Sequence, residues 1–175
     1  MKRIEKKQEN IYESLHELKG LLRASKDKDE STKQYETIIE EAEKRQTIQG
    51  SKSPSSKSKK DLAEEALLRA ARCRVSDDLD GQEKALREAL KHDSDNINTL
   101  FLLALLLKRN KIDEGEEMYR KVLTIDPNHV ATLGNLANLL KNHRNKIDEA
   151  EELYRKALTI DPNHVATLYN LANLL

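Results

Sequence analysis

The last 28 residues, "DEAEELYRKALTIDPNHVATLYNLANLL" (Asp148–Leu175), nearly duplicate "DEGEEMYRKVLTIDPNHVATLGNLANLL" (Asp113–Leu140), with 24 of 28 positions the same. Such a copy asks first for a repeat period. Asp126 and Asp161 are 35 apart, whereas Thr99-Leu100 and Thr132-Leu133 are 33 apart, as are "ALKHD" (Ala89–Asp93) and "VLTID" (Val122–Asp126). The difference falls at one place: "KRNKID" (Lys108–Asp113) is two residues shorter than "KNHRNKID" (Lys141–Asp148). Length changes are tolerated in loops, so this place reads as a connection.

Around that connection the apolar spacing is helical. Leu133, Leu136, Ala137 and Leu140 recur at i, i+3, i+4 and i+7, one stripe of a helix. Ile147, Ala150, Tyr154, Ala157 and Leu158 form a second stripe. Asp126-Pro127-Asn128 and Asp161-Pro162-Asn163 end successive units, because Pro cannot continue a helix and biases the preceding residue away from helical geometry. The unit is helix, turn, helix, turn. Ala137 and Ala150 are small where two helices must approach closely.

These residues resemble the tetratricopeptide repeat, a unit of about 34 residues built from two antiparallel helices. The third unit matches in order with Leu133, Leu136, Ala137, Leu140, Ala150, Tyr154, Ala157 and Pro162; the second matches with Leu100, Leu103, Ala104, Leu107, Tyr119, Val122 and Pro127, but has Gly115 where Ala is expected. The first is degenerate, with Gln82 in the small-residue place and Ser94 in the Pro place. The resemblance implies an all-α fold, a right-handed superhelical solenoid of antiparallel helix pairs preceded by one or two amphipathic helices. Residues 61–175 carry the repeats: about 61–96 degenerate, then 97–129, 130–164 and 165–175. One unit cannot bury its apolar faces alone, whereas stacked copies can. Leu175 closes the first helix of a fourth unit without a partner helix. The expectation is a fragment, or an end that pairs with another chain.

Two zones precede the repeats. Residues 1–48 hold Ile4, Ile11 and Leu18 every seven residues, with Leu15 and Leu22 between, a short heptad seam. A second helix is expected from about Ser31, with Ser31 and Gln34 at capping-box spacing and Tyr35, Ile38, Ile39 and Ala42 on one side. Residues 49–60, "QGSKSPSSKSKK", read as a flexible Ser/Lys linker.

Composition excludes several function classes. Of 175 residues 35% are charged and 3% aromatic, and mean hydropathy is -0.79, which predicts a soluble, helix-rich, cytoplasmic chain. Residues 1–60 hold 15 Lys/Arg against 11 Asp/Glu, and residues 61–175 hold 16 against 20. Neither imbalance is the dense basic patch that nucleic-acid binding needs. The longest apolar run, "LFLLALLL" (Leu100–Leu107), is far short of the roughly 20 residues of a membrane span. A single cysteine, Cys73, excludes an intramolecular disulfide. The five glycines are scattered, no His/Cys cluster has zinc spacing, and His129 and His164 sit at the same turn position of successive units, where repetition explains them. No catalytic residue, metal or cofactor is expected.

The resemblance further implies a concave groove, lined by the first helices, that holds a peptide or helix of a protein partner. Asn135 and Asn138 lie i, i+3 beside the Leu stripe, and Asn170 and Asn173 repeat them one unit later. An asparagine side chain both donates and accepts, so a row of them can pair with an extended backbone whatever its sequence. Similar ladders occur in the repeat regions of O-linked N-acetylglucosamine transferases. In the second unit Phe101, Leu102 and Leu105 replace Gly134, Asn135 and Asn138. That would be an apolar groove patch, unless the N-terminal helices fold over it. Gly134 and Tyr169 occupy places where the lysine of a carboxylate clamp would be sought, so no clamp is expected, and Tyr169 joins the groove candidates. Two other readings stay open: self-assembly through the heptad helix and the C-terminal helix, giving a homo-oligomeric scaffold, and a regulatory repeat fragment of a larger enzyme.

Overall fold

The computed structural model describes residues 2–24, 29–48 and 58–175. Among them every regular element is helical: α1 (Lys2–Ala24), α2 (Glu30–Ile48), α3 (Lys59–Val75), α4 (Leu79–His92), α5 (Ile97–Leu107), α6 (Ile112–Ile125), α7 (Val130–Leu139) with a π turn (Leu140–Arg144), α8 (Ile147–Ile160) and α9 (Val165–Ala172). Packing divides the chain into two compact units, Met1–Ser94 and Asp95–Leu175.

In the first unit α1 and α2 pack as a hairpin. Leu15, Leu18 and Leu22 of the heptad seam are buried, as are Tyr35, Ile38, Ile39 and Ala42 of the expected α2 stripe. The side chains of Ile4 and Ile11 lie outside the described residues. Lys19 sits between Glu40 (3.1 Å) and Glu43 (2.9 Å) across the hairpin. The cap of α2 is Asp29, not Ser31: Asp29 Oδ1 accepts the Thr32 amide at 3.0 Å and the Ser31 hydroxyl at 2.7 Å. Burial pushes the Asp29 carboxyl up, but these hydrogen bonds and the Arg74 guanidinium (3.1 Å) outweigh it and hold the group below the usual carboxylate range.

Residues 49–57 of the expected linker lie outside the described residues, and its last three cap and begin α3. Ser58 and Asp61 form a capping box, with Asp61 N–H donating to Ser58 Oγ and Ser58 N–H to Asp61 Oδ2. Ala63, Ala66, Leu67, Ala70 and Ala71 make a flat buried face on α3. At its end Asp77 takes the left-handed conformation (φ 56°), and the Asp78 amide reaches back to the Cys73 carbonyl at 2.9 Å, a Schellman closure. The α1–α2 hairpin packs on α3, held by Arg45 on Glu64 (2.7 Å) and Arg72 on Ser14 (3.0 Å). Gln82 of α4 is buried and donates to the Tyr35 hydroxyl at 2.9 Å. A long polar side chain therefore fills the degenerate unit's small-residue place and is satisfied by the N-terminal hairpin.

The second unit repeats one plan. Leu100, Leu103, Ala104 and Leu107 of α5 are buried, as are Leu133, Leu136, Ala137 and Leu140 in the next copy. From the second helices come Tyr119 and Val122 on α6, then Ala150, Tyr154 and Ala157 on α8. The stripe read on α8 was too long, since Ile147 is exposed and Leu158 half-buried. The two extra residues of the third unit do not simply lengthen a loop. They widen the end of α7 into the π turn, which closes on Asn145 in the left-handed conformation (φ 51°). Each Asp-Pro-Asn turn is an Asx turn, with Asn128 N–H on Asp126 Oδ1 at 3.0 Å and Asn163 N–H on Asp161 Oδ1 at 3.1 Å.

Gly115 stands where α6 passes the end of α5. A β-carbon there would lie 3.1 Å from the Lys108 backbone nitrogen and 3.3 Å from its Cα. That neighbour is backbone held in a short connection, so it cannot yield as a side chain would.

Two outcomes are expected. Gly115→Ala lowers the thermal midpoint even though it gains about 1 kcal/mol of helix propensity, whereas Gly20→Ala in α1, with no heavy atom within 4 Å of the new methyl, raises it. Tyr35→Phe leaves the Gln82 amide without its acceptor and costs about 1–3 kcal/mol in urea unfolding, and Tyr35→Phe/Gln82→Met, which removes both partners, recovers most of that loss.

Candidate functional site

The asparagines stand on two successive first helices of the second unit. Asn135 and Asn138 sit half-buried on α7, Asn170 half-buried on α9, and Asn173 exposed at its C-cap. α9 comes close to α7 because position 134 has no side chain: a β-carbon on Gly134 would lie 3.2 Å from Thr167 Oγ1. Two successive asparagine pairs thus lie on neighbouring helices.

Their states differ. Both ends of the Asn135 amide are engaged, Nδ2 donating to the Ala131 carbonyl at 2.9 Å and Oδ1 accepting from Lys108 Nζ at 3.2 Å. Asn138 Oδ1 accepts from the Tyr154 hydroxyl at 2.6 Å. Burial pushes the Tyr154 phenol up to about 12, so it stays a donor at neutral pH. That bond fixes which way the Asn138 amide faces and leaves its two N–H donors for another acceptor. Asn173 engages through its backbone, its carbonyl accepting from Lys141 Nζ at 3.3 Å. Tyr169 is 69% exposed.

The apolar candidates stand elsewhere. Phe101, Leu102 and Leu105 are all at most 8% exposed. The Phe101 ring packs against Tyr119 (centroids 6.1 Å apart) and meets His129 edge-on at 5.3 Å. A ligand could reach this trio only after the groups over it had moved.

From the sequence Lys108 stands only near one end of the expected groove, and neither Lys108 nor Tyr154 is read as a groove residue. Tyr154 reads there as part of an apolar stripe, yet a buried tyrosine hydroxyl needs a partner, and that requirement was the available signal. His129 and His164 also find an explanation: each opens a first helix beside a buried threonine, with Nδ1 2.7 Å from Thr132 Oγ1 and 2.8 Å from Thr167 Oγ1.

Among the described residues no group of three or more His, Cys, Asp or Glu could hold a metal ion. Burial, reinforced by the Asp78 carboxylate, pushes the Cys73 thiol up, away from the reactive thiolate. A depression of about 430 Å³ beside α6 is lined by Asp113, Glu116, Arg120 and Arg144 among others. Its charges neutralise one another, Arg144 pairing with Asp113 and Glu116, and Arg120 with Glu116 and with Glu149 of α8. No described helix is long and apolar enough to cross a membrane.

Comparison with known proteins places this geometry. Tetratricopeptide-repeat models match residues 99–129 and 118–152. A search of curated proteins finds no match. Among solved structures, a mutant O-GlcNAc transferase of Thermobaculum terrenum superposes with a TM-score of 0.61 at 21% identity, over 69% of this chain and 23% of its own. The chain thus spans less than a quarter of that enzyme. The tetratricopeptide domain of Arabidopsis OM64 gives 0.62 at 15% identity over 67% of this chain and 97% of its own. YrrB, characterised as a tetratricopeptide protein with an unusual peptide-binding site, gives 0.57 at 16% identity over 95% of this chain and 88% of its own. At these identities the likeness is one of fold, and it agrees with the repeat stripes and Asp-Pro-Asn turns of the second unit. Residues 99–152 thus carry tetratricopeptide repeats, and the helical fold is that of tetratricopeptide-repeat structures.

Proposed function

We propose that the chain is a non-enzymatic interaction module whose first helices hold an extended peptide of a protein partner. One observation carries this reading: the Tyr154 hydroxyl holds the Asn138 amide so that its N–H donors are left over. A preset donor of this kind suits a peptide carbonyl, because an orientation fixed in advance costs no ordering on binding. Asn170 and Asn173 extend the row by one helix. Their side chains make no hydrogen bond among the described residues, and Tyr169 supplies aromatic contact area beside them. Asn135 joins only if the ligand displaces Lys108. The fold supports such a role in general, since stacked helix pairs present extended binding surfaces.

A self-assembling reading draws on α9, where Val165 (77%) and Tyr169 (69%) are exposed, and on Leu175 (80%) just after it. It requires a mass that rises with concentration in sedimentation. The heptad seam gives it less support, because Leu15, Leu18 and Leu22 are already buried within the chain.

The groove reading is tested with a displayed library of unstructured 12-residue peptides, selected on the wild-type chain and then measured on Asn138→Ala/Tyr169→Ala/Asn170→Ala/Asn173→Ala, with circular dichroism to verify folding. Selected peptides are expected to bind the wild type with micromolar affinity and to lose at least about tenfold on the variant, as removal of several buried-interface hydrogen bonds requires. Equal binding by both chains, or failure to select any peptide, sinks the reading.

A further inference from the structure

Two first helices of the second unit open on different chemistry at the same place. In α5 the cap is Asn96, whose Oδ1 accepts the Thr99 amide at 3.0 Å and the Thr99 hydroxyl at 2.9 Å. In α7 the cap is His129, whose Nδ1 takes both roles, accepting the Thr132 amide at 3.2 Å with the Thr132 hydroxyl at 2.7 Å. A backbone N–H can only donate. Nδ1 must therefore be bare, and the ring carries its proton on Nε2. In α9 the corresponding His164 makes only the hydroxyl contact, which works in either direction.

Asparagine cannot change this role with pH, and imidazole can. A proton on Nδ1 turns the acceptor into a donor. The Thr132 hydroxyl can reverse and accept from it, but the Thr132 amide cannot, and Thr132 is fully buried, so water does not replace the lost partner. The positive end of the helix dipole further disfavours an imidazolium there. The surroundings are as follows. α5 presents the uncharged Phe101 ring, and α6 presents Tyr119 against that same ring. The connecting turn presents Asp126, whose carbonyl accepts the His129 amide at 3.2 Å and whose Oδ1 holds the Asn128 amide. The Asp126 carboxylate attracts a protonated ring and so works against the other two effects. Its Oδ1 is already engaged, whereas the lost cap and the dipole act on the helix end itself.

We propose that His129 is an acid-sensitive helix cap: it holds the first turn of α7 while its Nδ1 is bare and releases that turn when the ring is protonated. The folded chain then binds fewer protons at this residue than the unfolded chain, so stability falls as pH drops through the imidazole range, about pH 7.5 to 5.5. The released turn includes the Ala131 carbonyl that holds Asn135, so acid loosens the helix carrying Asn135 and Asn138. This goes beyond peptide binding and stands whether or not a peptide binds.

The test uses the full chain and His129→Asn, which copies the Asn96 cap and leaves Asp126 in place, just as Asp93 precedes Asn96. Thermal midpoints are measured at pH 7.5 and 5.5. The wild type is expected to lose about 2–4 °C more than the variant over this interval, the shift that goes with one helix cap. Equal losses overturn the proposal. Nitrogen-15 spectra of the histidine rings in the wild-type chain at pH 7.5 give an independent reading: His129 is expected as the Nε2–H tautomer, and an Nδ1–H tautomer overturns the proposal even if the variant folds poorly.

Discussion

The second unit depends on how closely its helices can cross. Gly115 lets α6 pass within van der Waals contact of the Lys108 backbone, and Gly134 of α7 leaves room for the Thr167 side chain of α9. With helices this near, Leu, Ala and Val suffice to fill the space between them, so this unit buries its core with few aromatic rings. The large rings it has are placed where a gap remains: Tyr119 and Tyr154 are fully buried at equivalent points of α6 and α8, and Phe101 fills the corner beside Tyr119. Dispersion and apolar burial fall off steeply with separation, so a bulkier residue at either crossing would weaken many small contacts at once.

Close helix packing raises the cost of every polar atom it covers, and the caps and side-chain pairs answer that cost. Thr99, Thr132 and Thr167 are buried at the starts of α5, α7 and α9, and each lies within hydrogen-bond reach of the residue that opens its helix. The Tyr154 hydroxyl finds Asn138, and the Gln82 amide finds Tyr35. The bond to Tyr154 occupies the oxygen end of the Asn138 amide, and it is the nitrogen end on which the proposed peptide binding rests.

Much of the second unit was legible from its residues. The i, i+3, i+4, i+7 stripes, the Pro after each second helix and the duplicated 28 residues all report local geometry, and local geometry repeats when the sequence does. Legibility failed where partners competed. Ser31 and Gln34 have the spacing of a capping box, but Asp29 is two residues nearer the chain entry and already paired with Arg74, so its carboxylate takes the Thr32 amide. Ile147 fits the α8 stripe by period, yet lies in the first turn, beyond what α7 covers, and is exposed. The two extra residues after Leu140 read as loop, but the chain absorbs them by widening a helix into a π turn that a left-handed Asn145 can close.

By itself the sequence determined the helix class, the repeat period, the turns and the positions of the asparagines, because each follows from spacing within a few residues or from identity between copies. Which of those asparagines are held was decided only by tertiary structure. Asn135 is engaged by Lys108 from 27 residues away and Asn138 by Tyr154 from 16 away, on other helices. Likewise Phe101, Leu102 and Leu105 hold the repeat positions of Gly134, Asn135 and Asn138, yet are closed to solvent. Periodicity assigns a residue to a face of its helix. Whether that face is open, and whether its polar groups are spent, depends on side chains that arrive from distant segments and leave no periodic trace.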